Sequence, residues 1–257
     1  MINTSDAPQE TLSKILFVVP CFNEGSRIDL DYFERLIQLP YTFWIFVNDG
    51  STDNTFHLLE KLCVRDNTKL ISNQVNSGKS KSLQSGFNQG INSQEEFEWI
   101  GFIDSDCVII HADIDRILRL ARDSNYDSIF SSRVKLAGRL INRKRFRHFF
   151  GRLIAGIFSS TWPSMPYDTQ CGFKLFKNTS TLQIALSEKF HTRWFFDIEV
   201  VLNLTKASGA KVKIWEEPLT LWCDIEGSKI GWSQAGKILM EVAYIYYCLL
   251  RLRKFLV

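Results

Sequence analysis

The 257 residues are 45% hydrophobic and 23% charged, enough apolar material for one large core and too much for a disordered chain. The net charge of +3 conceals an asymmetry. No acid falls between Asp127 and Asp168, and the eight cations in that window (Arg133, Lys135, Arg139, Arg143, Lys144, Arg145, Arg147 and Arg152) leave the remainder at −5, which points to an anionic partner on one face.

The chain opens with a polar extension, 1–13, that lacks a basic leader, and the apolar "ILFVVPCF" after it is too short for a signal, so no signal peptide is expected. Short β-rich runs at 15–20, 43–49, 68–72, 99–104 and 128–132 then alternate with segments of three- and four-residue apolar spacing, Asp29 to Gln38, Asp53 to Val64, Lys79 to Ile91 and Ala112 to Arg122. Such alternation predicts an α/β fold, a Rossmann-like, mostly parallel sheet flanked by helices. After Arg133 comes a basic-apolar segment, "LINRKRFRHFFGRLIAGIFSSTW". A strand "TQCGFKLF", a helix around 194–206, a strand pair around 211–222 and a terminal amphipathic helix from about Ser233 follow. The longest apolar run, Val242 to Leu250, is far short of the roughly 20 residues that span a bilayer. Six cysteines with no CxxC pair fit buried thiols in a reducing compartment better than a disulfide frame or zinc site.

In open α/β sheets ligands collect at the carboxyl ends of strands. Asn23 and Glu24, Asn48 and Asp49, and Asp104 and Asp106 all fall there. In extended chain, residues i and i+2 point the same way, so Asp104 and Asp106 can face one cation; exposed loop acids or a cap for the helix that follows are the plainer alternatives. "NSGKS" at 76–80 lacks the upstream glycine of a phosphate loop, which would stand where Asn73 does. Lys79 can still bind phosphate at a helix start, or be a solvated first turn. His57, His111, His148 and His191 show no metal-ligand spacing. The basic residues of 139–152 interleave with Phe146, Phe149, Phe150, Leu153, Ile154, Ile157 and Phe158. That pattern reads as a membrane-interfacial helix before a nucleic-acid arm, with burial against the domain as the alternative.

In order, "VVPCFNE", "VNDGSTDNT", "NSGKSKSLQSGF", "IDSDC", "SSR", "DTQCGFKLF", "RWFFDIEV" and "EGSKI" resemble the inverting family 2 glycosyltransferases with a GT-A fold, over about Lys14 to Ile230. Within them the polyprenyl-phosphate sugar transferases, dolichyl-phosphate glucosyltransferases above all, are most similar. The resemblance implies a domain at 14–232, with a nucleotide-sugar half at 14–132 and an acceptor half at 133–232, and a C-terminal amphipathic helix at 233–257. It further implies Pro20, Phe22, Glu24, Asp49, Lys79 and Asp104 around the nucleotide sugar, and Asp104 and Asp106 holding Mg2+ or Mn2+. Arg133, Arg145, Ser228 and Lys229 would sit on phosphate groups. UDP-glucose is the favoured donor, polyprenyl phosphate the acceptor and a membrane surface the partner, with no nucleic acid; the expected location is peripheral, on the cytoplasmic face. The mannose-transferring branch often carries Gln where Val108 stands, which weakens a mannose assignment.

A lipid monophosphate is already largely ionised at neutral pH and needs no general base. A sugar hydroxyl on a cell-surface oligosaccharide, the rival acceptor, would need one, and Asp168, Asp197 and Glu199 are the candidates. A nucleotide-sugar-binding module without catalysis is the rival from another class.

Overall fold

The computed structural model describes residues 14–143, 145–224 and 235–256, apart from the side chains of 145–150, 153 and 235. The extension 1–13, Ser228, Lys229 and the Arg145 side chain therefore lie outside the described residues.

In chain order the elements are β1 (Ile15–Cys21), α1 (Leu30–Ile37), β2 (Thr42–Asp49), α2 (Thr55–Leu62), β3 (Thr68–Asn73), α3 (Lys79–Ile91), β4 (Trp99–Ile103), α4 (His111–Asp123), β5 (Ser128–Ser132), β6 (Leu140–Asn142), α5 (Arg145–Ser159), β7 (Phe173–Lys177), α6 (Ser180–Ser187), α7 (Phe196–Ser208), β8 (Ile214–Pro218), β9 (Leu221–Cys223) and α8 (Ala235–Leu256). Seven strands form one sheet in the order β3-β2-β1-β4-β7-β5-β8, and β6 pairs with β9 in a small second one. All neighbours in the large sheet are parallel except β7, which runs antiparallel between β4 and β5. Strand order reverses between β1 and β4, where an open α/β sheet leaves a crevice at its carboxyl ends.

The five inner strands of the large sheet, β2, β1, β4, β7 and β5, are buried on both faces by the helices that cover them, while the edge strands β3 and β8 are only partly covered. Alternation sorts their side chains into two cores. Leu16, Val18, Ile45, Val47, Ile100, Phe102, Phe130 and Phe176 face a core shared with α3, α6, α7 and α8. Ile15, Phe17, Val19, Trp44, Phe46, Trp99, Ile103, Ile129, Phe173 and Leu175 face the other, shared with α1 and α4 and with Leu59 and Leu62 of α2. On the first face α3 lies close to β1, because Gly86 has no side chain there; a Cβ would come within 2.4 Å of Val18.

Three features depart from the sequence expectation. The strands expected as a pair near 211–222 both form, but β8 extends the large sheet beside β5 while β9 pairs with β6. Helix α6, unanticipated, is capped by Thr179, whose hydroxyl accepts from the Leu182 N–H. The basic-apolar segment opens with β6, a strand not expected from the sequence, and then forms α5, whose Ala155 and Phe158 are buried while Ile157 is exposed. All six cysteines are free thiols. Cys21 and Cys171 are buried and Cys223 is exposed.

Candidate active site

The same alternation that builds the cores decides which polar groups meet. Asp104 follows Phe102 by two residues and Asp49 follows Val47 by two, so both continue the face that carries α3 and α7. Lys79 is the first residue of α3, and Asp197 the second of α7. Lys174, two residues before Phe176 on β7, points to the same side.

At the mouth of this face the Lys79 ammonium donates to Asp104 Oδ1 at 2.5 Å and lies 4.9 Å from the centre of the Phe102 ring. Burial alone would lower its pKa, but Asp104, and more weakly Asp197 and Asp106, raise it. Asp106 sits beside Asp104 across one serine. Burial, then the neighbouring Asp104 charge, push its carboxyl up to about 6, against a weaker opposing pull from Lys79. Two like charges crowded this way are relieved by a bound cation. Gly172 makes room for the arrangement: its carbonyl accepts from the Asp104 N–H at 2.8 Å, and a Cβ there would fall 2.3 Å from Asp104 Oδ2. No cluster of three or more His, Cys, Asp or Glu side chains able to hold a metal occurs among the described residues. Two crowded carboxylates, Asp104 and Asp106, fit a hard divalent cation, the rest of whose shell ligand oxygens would supply.

Asp49, buried at the end of β2, accepts from Asn73 Nδ2, Ser77 N and Ser77 Oγ on one oxygen and from Gly78 N on the other. Burial raises its pKa, but these hydrogen bonds outweigh it and hold the carboxyl below its ordinary value. It thereby fixes the 76–78 turn that delivers Lys79. Arg193 reaches the same turn, donating to Asn76 Oδ1 at 2.5 Å. Glu24, buried after β1, takes a forked guanidinium from Arg27, and Pro20 and Phe22 are half-buried nearby on the chain. β1 pairs with β4 only as far as Val18, so Pro20, which has no N–H to give, lies beyond that ladder.

A second cluster forms where β5 ends and the chain approaches β7. Arg133 grips Asp168 with Nε at 2.5 Å, Nη2 at 2.8 Å and its own backbone N–H at 3.1 Å, and stacks on Trp222. Glu216 accepts from the N–H groups of Tyr167 and Asp168 and so holds this loop to β8. Burial works to raise the Asp168 pKa, yet Arg133 drives it far below the usual carboxylate range. Arg143 shares the same acid, its Nη1 3.7 Å from Asp168 Oδ2, and its buried Nε has no hydrogen-bond partner among the described residues. Burial and then the Arg133 charge lower its pKa. Asp168, and after it Asp224, oppose that lowering, and the unpaired Nε is left as a buried donor that an anion could take.

The segment 168–174 joins the clusters. Gln170 donates its N–H to Asp168 and its side-chain amide, at 3.4 Å, to Asp197. Asp197 pairs with Lys174 at 2.5 Å, and Lys174, fully buried, also donates to the Cys171 carbonyl and lies over Phe102 and Phe130. Glu199 stands apart, accepting from His191 N and Thr192 N and from the Thr192 hydroxyl, with His191 Nδ1 at 3.2 Å. It pins a loop.

The structure therefore brings together Lys79, Asp104, Asp106 and Asp197 at one cluster and Arg133 with Asp168 at the other. Lys174 and Gln170 were not anticipated, and Arg143 figured only in the basic count. The available signal for Lys174 was a single cation inside an apolar strand, "GFKLF".

A sequence profile described as Glycosyl transferase family 2 matches residues 16–187. The human dolichyl-phosphate beta-glucosyltransferase is 29% identical over 265 residues, covering 94% of this chain and 77% of that protein. The Saccharomyces cerevisiae protein of the same name is 27% identical over 244 residues, covering 83% and 68%. Among solved structures, glucosyl-3-phosphoglycerate synthase of Mycobacterium tuberculosis, crystallised with Mn2+, UDP and glucosyl-3-phosphoglycerate, superposes with a TM-score of 0.64 at 13% identity, over 95% of this chain and 81% of that one.

Proposed function

The chain belongs to glycosyl transferase family 2 and is a glycosyltransferase of GT-A fold; from that premise we propose that it transfers glucose from UDP-glucose to a polyprenyl phosphate at a membrane surface. One observation carries the choice of acceptor. The acid pair Asp104 and Asp106 lies at one end of the 168–174 segment, and Arg133 and Arg143 meet at Asp168 at the other, with Arg143 Nε left without a hydrogen-bond partner among the described residues. That is a cation-holding site beside a site for a second anion.

An acceptor phosphate held by Arg133 and Arg143 brings an ionised oxygen to the anomeric carbon. The new C–O bond forms as the bond to the nucleoside diphosphate breaks, inverting the centre. Lys79, placed by the 76–78 turn, faces the departing diphosphate and offsets its charge. Asp104 and Asp106 would hold Mg2+ or Mn2+, which supplies Lewis-acid stabilisation of the leaving group when bound. Glu24, Pro20, Phe22 and Asp49 shape the nucleotide end, and Arg145, Ser228 and Lys229 are proposed for the phosphates by resemblance.

The three carboxylates available as a general base are each engaged: Asp168 by Arg133, Asp197 by Lys174, and Glu199 by the 191–192 loop. This favours an acceptor that needs no base, and assigns these residues to positioning. A sugar-hydroxyl acceptor would require one of them to be released.

Similarity to dolichyl-phosphate glucosyltransferases over most of the chain supports the lipid acceptor. No helix among the described residues is long and apolar enough to cross a membrane. Six free thiols support the cytoplasmic face. The test is transfer of label from UDP-glucose, with GDP-mannose and other donors in parallel, into an organic-extractable product with added polyprenyl phosphate. Label should appear and vanish with EDTA, and should persist in Asp197→Asn. No label from any donor, with nucleotide binding retained, would overturn the assignment, and loss of all transfer in a folded Asp197→Asn would restore it as a base.

A further inference from the structure

Helix α8 has two faces of different character. Ile238, Val242, Ile245, Leu249 and Leu256 are buried in the core, and Glu241 clamps the neighbouring loop by accepting from Arg193 N at 2.9 Å and Trp194 N at 3.1 Å. Opposite them Leu239 (63% exposed), Met240 (66%), Tyr247 (55%) and Leu250 (45%) face outward, with the exposed Ala243 among them. At about 100° per residue these five fall within a sector of roughly 100°. Nothing charged interrupts it until its carboxyl end, where Arg251, Arg253 and Lys254 are exposed. After Glu241 the sequence has no acid.

We propose that this outward face of α8 is the surface by which the protein lies on an anionic lipid bilayer, its apolar side chains entering the interface and Arg251, Arg253 and Lys254 meeting lipid phosphates. The inference rests on the lipid-acceptor reading for its occupant. Charge decides between a bilayer and a second copy of the chain. The face carries cations and no acid, so a second copy would leave them unanswered, whereas anionic headgroups pair with them. A helix of this pattern lies in the interface plane and does not cross it. Tyr247, whose hydroxyl accepts from Arg251 Nη1 at 3.1 Å, sits where an apolar ring with a polar tip belongs. Through Glu241 the helix grips the loop whose Arg193 reaches the 76–78 turn, so docking α8 sets the cleft at a fixed orientation to the bilayer.

The test is co-sedimentation of the full chain with vesicles of pure phosphatidylcholine and of equimolar phosphatidylcholine and phosphatidylglycerol. The wild type is compared with Leu239→Ser/Met240→Ser/Leu250→Ser and with Arg251→Gln/Arg253→Gln/Lys254→Gln. All six positions are exposed, and unchanged melting temperatures verify the fold. The wild type should prefer anionic vesicles and be released by salt. The charge variant should lose roughly 100-fold in partition coefficient, and the apolar variant at least about 10-fold. Wild type that binds neither vesicle, or variants that bind like wild type, overturn the proposal. So does a wild-type dimer in sedimentation velocity that the apolar variant turns into monomer without change in vesicle binding. Transfer to a short-chain, water-soluble prenyl phosphate, measured alongside, should be unchanged in both variants. Its absence in the wild type with vesicle binding intact would refute the acceptor and leave the docking surface standing.

Discussion

Lys174→Met is the substitution whose cost the geometry states most directly. The lysine side chain is 0% exposed and its partner Asp197 8% exposed, with 2.5 Å between them. Removing the ammonium leaves a buried carboxylate whose desolvation nothing offsets, and breaking one side of such a pair costs about 3–5 kcal/mol. The Cys171 carbonyl loses its 2.6 Å donor as well, which places the expectation toward the upper end. With a urea m-value of about 3 kcal/mol/M for a chain of this size, the unfolding midpoint should fall by roughly 1–1.7 M. Asp197→Asn strands the lysine charge instead and should cost a similar amount. The double variant removes both charges and should regain most of the loss, so that it costs less than either single and the coupling in the double-mutant cycle is at least about 3 kcal/mol. A single variant within about 1 kcal/mol of wild type, or singles that simply add in the double, would show that the pair is not what secures this part of the site.

Arg143→Met should raise the KM for a prenyl phosphate about 10- to 100-fold, the value of a hydrogen bond to a charged group, while the donor KM stays within about twofold; a shift in the donor KM instead would place this arginine at the diphosphate. Lys79→Met should weaken UDP binding by titration calorimetry and lower kcat/KM for the nucleotide sugar about 10- to 100-fold, and unchanged UDP binding would remove it from the donor site. Asp168 has a depressed folded pKa, so its contribution is complete above the unfolded value near about 4 and is lost as pH falls below it. The stability gap between wild type and Asp168→Asn, followed by urea unfolding, should therefore be constant from neutral pH to mild acid and shrink in stronger acid. A gap that widens on acidification would contradict the ion pair with Arg133.

Much of this protein was decided locally and could be read from the chain. Apolar spacing of two and of three to four residues marked the strands and helices, because side-chain direction follows backbone period. The runs ending at Asp49 and Asp104 marked strand ends at the crevice side of the sheet, and the acid-free window from 128 to 167 marked a stretch of one charge sign. What the chain could not reveal was which charges meet. Arg133 and Asp168 are 35 residues apart and meet because the chain returns through β7 between β4 and β5, and Arg143 follows β6, which pairs with β9, the strand whose Trp222 stacks on Arg133. Lys174 finds Asp197 because β7 and the start of α7 share one face of the sheet, and β8 and β9, adjacent in sequence, pair with β5 and β6 instead of each other. Period and turn chemistry act over a few residues and are written in composition. Ion pairing acts over a few ångströms and depends on strand order, which the sheet settles only when its two cores close.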